Sequence, residues 1–307
     1  MTNNQSNSLY EMIKRLFHFL KLFLTNLIWS DRIYISRKYL QKVGVKLNLK
    51  NPKTFTSKIQ WLKLNDKNPI YSKCADKYLV RDFVEKKIGK KYLIPLITSS
   101  KNADKINFNK LPKKYIIKCN HGSGMNIIVK NNKMNKFDEW EDFDEKKIKK
   151  ILKAWMRKNF YHINREWEYK NITRRVVIEE LIYDESGNDG LNDYKFHCFN
   201  GKPMYIQTFF NRIEGVKENW FDTKWNLIDL YYLSSVKADV KKPKNLNQLL
   251  QIAKKLSEEF NYVRVDLYTT NNNIYFGELT FRPYGGFMNF VSKRWDKILG
   301  DLLNLKR

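Results

Sequence analysis

A lysine followed by a glycine-rich turn is the pattern in this chain best suited to chemistry. The apolar run 115–117 ends at Lys118, the turn that follows carries Gly122 and Gly124, and a second apolar run begins at 127. Glycines let backbone N–H groups close around an anion, and a neighbouring lysine adds a positive charge. The pattern predicts a phosphate-binding loop between two strands, although a lone lysine in such a position is more often a surface residue of a hairpin.

Two acidic residues lie on consecutive strand-like runs in the C-terminal part of the chain. Asp266 belongs to the run 263–268 and Glu278 to the run 274–279. Adjacent antiparallel strands can present both carboxylates on one face. Such a pair suits Mg²⁺, which takes hard oxygen ligands and keeps other positions for phosphates. Arg264 lies two residues before Asp266, so it shares that face and could reach a phosphoryl group.

Other charged residues are candidates for the same neighbourhood. Asp193 and Lys195 lie two positions apart on a strand-like run, so they share a face, where they meet a ligand or form a surface ion pair. Lys77 lies at a predicted helix start, where a plain surface charge is the simpler interpretation. Arg212 lies beyond the second of two strands joined by a predicted hairpin and could reach the acceptor substrate or the γ-phosphate. Arg282 is a candidate substrate contact, because guanidinium groups bind carboxylates bidentately.

The elements that position these residues are amphipathic helices followed by strands. The periodicity predicts helices over 55–64, 75–87, 144–160 and 246–260, and strands over 93–97, 175–183, 194–199, 204–210, 263–268 and 274–279. Asn200-Gly201 separates two of these strands and is a strong hairpin signal. Helices first and a mixed antiparallel body afterwards indicate the α+β class.

Composition limits the partners. The chain has 307 residues, with 58 basic and 32 acidic side chains and a formal net charge of +26, which attracts polyanions such as nucleotides, anionic lipids and acidic polysaccharides. Only this charge supports a nucleic-acid-binding function. Because the sequence has no recognisable nucleic-acid-binding motif, we expect no nucleic-acid partner. The three cysteines are far apart and form no CxxC pair, which favours a reducing cytoplasm over a zinc or disulfide framework.

The segment 9–29 has apolar residues at helical spacing, interrupted by basic residues at 14, 15 and 21. It holds too few apolar residues in a row to span a bilayer. Two interpretations stay open: a basic amphipathic helix on an anionic membrane surface, and a helix packed on the protein's own core. The expected location is therefore the cytoplasm, with this segment as the feature that would hold the protein on the inner face of the cell membrane.

Taken together and in order, these motifs resemble the ATP-grasp superfamily, and within it the TupA-like group of teichuronopeptide biosynthesis. The resemblance covers about residues 33–290. The segments that carry it are 51–55, 58–63, 75–78, 118–124, 193–196 and 276–280. It implies an ATP-grasp fold, in which two α+β parts hold ATP between them, after a helical N-terminal region. The implied boundaries are 1–74 for the helical region, 75–180 for the part with the flap and 181–307 for the part with the metal-binding strands.

The resemblance also implies roles for individual residues. Lys118 and Arg264 would act on the transferred phosphoryl group. The nucleotide would be bound by Lys77, Lys118, His121, Gly122, Ser123, Gly124, Glu179, Glu180, Leu181, Ile182 and Lys195. Mg²⁺ would be bound by Asp266, Glu278 and Thr280, the last in place of the family's asparagine, which leaves one or two metal ions open. For His121, capping of a turn is an equally good interpretation.

The implied activity is ATP-dependent ligation of a carboxylate and an amine through an acyl phosphate. The expected substrates are an acidic sugar or polysaccharide precursor and an amino acid or related amine. The runner-up is a glycosyltransferase that uses a nucleotide-sugar, for which Asp142 and Asp144 supply a weak Asp-x-Asp motif. These aspartates precede a lysine-rich helix and more simply cap its N-terminus.

Overall fold

The structure, a computed structural model, describes residues 29–136, 139–182, 192–210, 217–230, 240–270 and 273–305. The chain divides into two compact units, residues 1–47 and residues 48–307. In the first unit, helix α1 (Asp31–Val43) is capped by the side chain of Ser30 and ends at Gly44 in the left-handed conformation. Residues 9–28 of the proposed amphipathic segment and the candidate Arg212 lie outside the described residues.

Three helices open the second unit: α2 (Phe55–Asn65), α3 (Pro69–Ala75) and α4 (Val80–Ile88). The single helix predicted over 75–87 is wrong, because α3 ends where that helix should begin. The carboxylate of Asp76 accepts hydrogen bonds from the N–H groups of Tyr78 and Leu79, and these bonds favour a turn over a continuous helix. Lys77 therefore lies in a turn between two helices.

The first sheet has six strands in the order β1-β6-β2-β3-β4-β5, all paired antiparallel. Its strands are β1 (Leu96–Ser100), β2 (Lys114–Cys119), β3 (Asn126–Lys130), β4 (Lys133–Lys136), β5 (Glu139–Asp142) and β6 (Val176–Glu180). Helix α5 (Glu145–Arg157) covers it, because Ile148 and Leu152 share an apolar cluster with Ile117 and Ile127. A short helix, α6 (Tyr161–Asn164), follows α5.

The second sheet also has six antiparallel strands, in the order β10-β9-β8-β7-β11-β12. Its strands are β7 (Asn192–Phe199), β8 (Lys202–Phe210), β9 (Lys217–Asp222), β10 (Leu227–Ile228), β11 (Tyr262–Thr269) and β12 (Ile274–Thr280). The hairpin predicted at Asn200-Gly201 is confirmed, and both residues have the positive φ, 49° and 78°, that a tight turn of this kind requires.

Strand alternation gives the second sheet one apolar and one polar face. Val263, Val265 and Leu267 of β11 pack in the cluster that contains Leu249 and Leu256 of helix α7 (Leu246–Ser257). Arg264 and Asp266 therefore point to the opposite face. The last helix, α8 (Lys293–Leu302), joins α2 through Asp296, which accepts hydrogen bonds from the N–H and hydroxyl of Thr56.

These elements give an α+β architecture built on two antiparallel sheets, as the sequence predicts. The strands of the first sheet fall between 96 and 180 and those of the second between 192 and 280, while the domain boundaries at 74 and 180 stay predictions. Within the part of the chain that the structure describes, no helix combines the length and the apolar composition needed to cross a membrane.

Candidate functional site

Asp266 is a deeply buried charged residue on the polar face of the second sheet. It lies opposite Glu278 of β12 and opposite Lys195 of β7, and it is 1% exposed. Arg264 donates to both of its oxygens, from Nε and Nη2, at 2.7 Å each. Lys195 Nζ donates to Oδ2, also at 2.7 Å. Two cations therefore fix this carboxylate in place.

Glu278 lies at the more open edge of the same group, with 35% of its side chain exposed. Its Oε1 accepts hydrogen bonds from the Thr280 hydroxyl at 2.8 Å and from Arg264 Nη2 at 3.1 Å. Its Oε2 accepts one from Lys77 Nζ at 3.4 Å. Burial alone would raise the pKa of Glu278, but the charges of Lys77 and Arg264 hold that pKa well below its usual range, so the carboxylate is ionised at neutral pH.

Lys195 joins a third carboxylate to this group. Its Nζ donates to Asp193 Oδ2 at 2.6 Å as well as to Asp266. The prediction that Asp193 and Lys195 share one strand face is confirmed, and the face is the one that carries Asp266. Lys195 therefore lies inside the cluster and is not part of an isolated surface ion pair.

A second ion-pair cluster lies on the first sheet. Lys118 at the end of β2 and Glu179 in β6 point to the same face, and Lys118 Nζ donates to Glu179 Oε2 at 2.8 Å. Arg81 of α4 donates to the other oxygen, Oε1, at 2.7 Å. Glu179 therefore connects Lys118 to a cation that the sequence did not indicate. In the sequence, Arg81 looks like any other basic residue on a charged helix. The one sequence feature that relates it to the site is its position four residues after Lys77.

The glycine turn predicted after Lys118 joins β2 to β3. The Cys119 N–H donates to the Met125 carbonyl at 2.9 Å, which closes the loop at its base. Gly122 is buried, and a Cβ there would lie 2.7 Å from the ring of Phe160, so a larger residue would require that ring to move. Ser123 and Gly124 are exposed, and Gly124 has φ of +70°. The loop thus has an anchored start and an open tip.

Asn120 ties this loop to the turn that carries Lys77. Its carbonyl accepts a hydrogen bond from the Lys77 N–H at 3.2 Å, and its side chain is bonded to the backbone of Thr173 and Arg175 ahead of β6. The Lys77 side chain reaches Glu278. Lys77 therefore contacts the loop after β2 through its backbone and the carboxylate cluster through its ammonium group.

The remaining residues that are predicted to contact the nucleotide differ in their burial and in their hydrogen-bond partners. His121 is buried, its Nε2 lies 3.2 Å from the Trp155 carbonyl, and burial lowers its pKa, so the ring faces α5. This contact suits the structural interpretation, and a nucleotide role for His121 stays a prediction. Glu180 is exposed, and its N–H donates to Pro95. Leu181 and Ile182 are half-buried at the end of β6.

A divalent metal fits the second-sheet cluster. Arg264 Nη2 lies within 3.1 Å of oxygens from both Asp266 and Glu278, so a positive group already bridges the two carboxylates. Within the described residues, no group of three or more acidic, histidine or cysteine side chains is arranged for a metal. The protein would therefore supply two carboxylates and the Thr280 hydroxyl, which matches Mg²⁺ sites that take further ligands from phosphate and water.

His197, which lies on the same sheet face, is predicted to make the protein less stable in acid. Its ring is hydrogen-bonded to the Tyr262 hydroxyl at 2.8 Å and to Gln207 at 3.2 Å. Burial, together with the charge of Arg264, lowers its pKa from 6.5 to about 3. Between these values the unfolded chain binds a proton that the folded chain does not, so the free energy of unfolding should decrease as the pH falls from about 6.5 towards 3.

Urea unfolding at several pH values between neutral and pH 4 tests this prediction. His197→Gln should make the free energy of unfolding fall less steeply with acid than in the unaltered protein. Equal slopes in the two proteins would mean that His197 does not cause the acid sensitivity.

A family model described as TupA-like ATPgrasp matches residues 57–304 of the chain. No curated protein matches it. A solved structure of D-alanine–D-alanine ligase from Bacillus anthracis with ATP is 15% identical, with a TM-score of 0.39 and coverage of 79% of this chain and 61% of that one. The ATP-grasp ligase PsnB with a precursor variant, Mg and ADP is 12% identical, with a TM-score of 0.40 and coverage of 81% and 65%. The chain thus spans about three fifths of the length of the D-alanine–D-alanine ligase.

Proposed function

This chain belongs to the TupA-like ATP-grasp family, whose model matches residues 57–304, and we propose that it is an ATP-dependent ligase that joins a carboxylate to an amine. The observation that carries the proposal is the cluster of Arg264, Asp266 and Glu278 with Lys77, because it brings cations and carboxylates of distant segments together on one sheet face. Such a cluster suits a triphosphate and its metal ion.

In the proposed reaction, a carboxylate oxygen attacks the γ-phosphorus of ATP. The bond between γ-phosphorus and the bridging oxygen breaks, and an acyl phosphate and ADP form. The amine nitrogen then attacks the acyl carbon, a C–N bond forms, the C–O bond to phosphate breaks, and phosphate leaves with the proton that the amine gives up. No side-chain nucleophile is needed, so the residues would act by binding and by electrostatic stabilisation.

Each residue of the site has a role in this scheme. Lys118 and Lys77 would bind nucleotide phosphates, and Arg264 would stabilise negative charge on the transferred phosphoryl group. Lys195 would bind the nucleotide from β7. The backbone from Glu179 to Ile182 would contact the adenine and ribose, and the loop from His121 to Gly124 would cover the phosphates and exclude water. Asp266, Glu278 and Thr280 would hold Mg²⁺, which supplies positive charge to the phosphates when it is bound.

The proposed substrates are an acidic sugar or polysaccharide precursor as carboxylate and an amino acid or related amine. The net charge of +26 supports an anionic acceptor. Arg282, and Arg212 outside the described residues, are the proposed carboxylate contacts. We place the activity in the cytoplasm, with the segment 9–29 as the part that would bind an anionic membrane surface.

The weak Asp-x-Asp motif that supported the glycosyltransferase interpretation consists of Asp142 and Asp144, and both side chains have other contacts. The Asp144 carboxylate accepts a hydrogen bond from the Lys147 N–H at 2.9 Å and caps α5, while Asp142 is exposed and paired with Lys133.

A screen for ADP release from ATP and Mg²⁺, across amino acids and uronic acids and with product mass measured, tests the proposed ligase function. Release of UDP or GDP from a nucleotide-sugar, without ADP release from ATP, would overturn it.

Lys118→Ala should lower kcat/KM for ATP by about 100-fold, which corresponds to ~2.7 kcal/mol, because the variant removes a charged contact to the phosphates. The matched control is Lys133→Ala on β4 of the same sheet, where the side chain is 61% exposed and no site role is proposed. This control should leave ADP release unchanged. Equal ADP release by the two variants would remove Lys118 from the mechanism.

A further inference from the structure

Strand β12 contains one residue more than its pairing with β11 uses. Glu278 lies opposite Asp266, and Phe276 lies opposite Leu267, which is the next residue of β11. Gly277 therefore has no partner on β11 and forms a β-bulge, in which two residues of one strand oppose a single residue of the other. The bulge directly precedes Glu278, a proposed ligand of Mg²⁺.

The segment that contains β12 keeps one apolar and one polar face on both sides of the bulge. Tyr275, Glu278 and Thr280 lie opposite residues of the polar face of β11. The apolar residues of the segment pack in the core cluster of the second sheet, and they are Ile274, Phe276, Leu279 and Phe281. Two of them precede Gly277 and two follow it. The apolar positions change from even to odd numbers at Gly277, so this residue interrupts the alternation.

A strand without Gly277 would alternate without interruption. The four apolar residues would then fall at every second position, with Tyr275, Glu278 and Thr280 between them. The same pairs with β11 would form, one residue to one. The two faces of β12 therefore do not need a residue at position 277. Bulges beside active sites often redirect a side chain, which gives the extra residue a purpose here.

The bulge is packed closely enough to favour glycine. A Cβ on Gly277 would lie 2.8 Å from Cε2 of the Tyr268 ring and 3.1 Å from the carbonyl oxygen of Asp266. A larger residue would therefore move the ring or widen the separation of β11 and β12 at Asp266. The φ of Gly277 lies outside the left-handed region, so the packing and not the backbone conformation favours glycine at this position.

The Glu278 carboxylate meets side chains from two other segments. Its Oε1 lies 3.1 Å from Arg264 Nη2, and that nitrogen also lies 2.7 Å from Asp266 Oδ2. Its Oε2 lies 3.4 Å from the Nζ of Lys77, in the turn between α3 and α4. A bulge bends its strand and increases the local twist, which changes the direction of the next side chain. The direction of Glu278 therefore depends on the bulge that precedes it.

We propose that Gly277 is a positioning residue, whose bulge directs the Glu278 carboxylate towards Asp266 so that the two can bind one divalent ion. The inference rests on the proposed ligase function, because it takes Glu278 as a ligand of the magnesium that accompanies ATP. Gly277 has no contact with nucleotide or metal in this scheme and acts through Glu278.

Deletion of Gly277 separates a positioning role from a structural one. The shortened strand keeps its pairs and its two faces and loses a glycine, a residue that destabilises strand interiors. Its melting temperature should therefore stay within about 5 °C of that of the unaltered protein, or rise. A larger decrease would mean that the sheet itself needs the bulge, and it would contradict the proposal.

A double-mutant cycle tests whether Gly277 acts through Glu278. Isothermal titration calorimetry on the full chain would measure the affinity for the magnesium complex of a non-hydrolysable ATP analogue. The four proteins are the unaltered chain, Glu278→Gln, the Gly277 deletion and the combination of both changes. Each single change should weaken binding by at least about 10-fold, and the combination should bind about as weakly as either one. Additive losses, or a deletion variant that binds like the unaltered protein, would overturn the proposal.

Substitution at the same position tests the close packing without shortening the chain. Gly277→Ala should weaken binding of the same complex by at least about threefold, because its Cβ displaces the Tyr268 ring or the Asp266 carbonyl. Tyr268→Ala removes the ring, so the combination of the two substitutions should bind more tightly than Gly277→Ala alone. Binding by Gly277→Ala equal to that of the unaltered protein would contradict a positioning role that depends on this packing.

The same titrations separate this inference from the ligase function. If Glu278→Gln weakens binding of the magnesium complex and deletion of Gly277 does not, the positioning role fails and the proposed metal site stands. If the unaltered protein does not bind the complex, or if Glu278→Gln binds it unchanged, the proposed metal site itself fails, and the ligase function loses the observation that carries it.

Discussion

Replacement of Glu278 by glutamine should lower ADP release by about 1,000-fold, equivalent to ~4 kcal/mol of transition-state stabilisation, and should leave the fold intact. The carboxylate is contacted by Lys77, Arg264 and Thr280 and is a proposed ligand of Mg²⁺. Glutamine keeps the size of the side chain and one oxygen but loses the charge. Because 35% of the side chain is exposed, little of the packing depends on it.

Steady-state ADP release and a thermal melt measure the two halves of this prediction. Glu258→Gln is the matched control, since Glu258 is an exposed carboxylate paired with Lys87. It should change neither quantity. If Glu278→Gln kept a tenth or more of the activity, the carboxylate would not belong to the reacting site.

Asp266→Asn should instead destabilise the protein by about 3 kcal/mol in addition to abolishing turnover. Asp266 is 1% exposed and receives Arg264 and Lys195 together, so its neutralisation leaves two buried cations with less compensation. Breaking a buried ion pair by removing one partner costs far more than breaking an exposed pair. The two carboxylate variants should therefore differ in stability while both lose activity.

Urea unfolding monitored by circular dichroism would measure the difference. Asp301→Asn, at an exposed pair with Lys297 on α8, is the control, and it should cost less than about 0.5 kcal/mol. An unfolding midpoint for Asp266→Asn equal to that of Asp301→Asn would mean that the cluster around Asp266 contributes nothing to the fold.

The strands that carry Asp266, Glu278 and Lys195 could be predicted from the sequence, because alternation alone decides which residues share a face. The same rule placed Arg264 beside Asp266, and the structure gives a bidentate contact between them. The hairpin at Asn200-Gly201 followed from turn chemistry. These features depend on local geometry, which a short stretch of sequence determines.

Arg81, Glu166 and Glu168 could not be found in this way. Arg81 contacts Glu179 from α4, and the sequence predicts the start of this helix at the wrong residue. The hydrogen bonds of Asp76, which interrupt the predicted helix, leave no periodic signal in the sequence. Glu166 and Glu168, two buried acidic residues, lie between α6 and β6, where the only regular structure is the three-residue 3₁₀ helix Trp167–Tyr169, which is too short to show a period in the sequence. Their burial results from contacts between segments that are distant in the sequence.

The cluster on the second sheet is electrically neutral as it stands. Asp193, Asp266 and Glu278 contribute three negative charges, and Lys77, Lys195 and Arg264 contribute three positive ones. If ATP binds here as proposed, a nucleotide that arrives without its magnesium would add negative charge that the charges of this cluster do not offset, whereas the magnesium complex brings part of its own compensation. Discrimination against metal-free nucleotide would then be a property of the empty site itself.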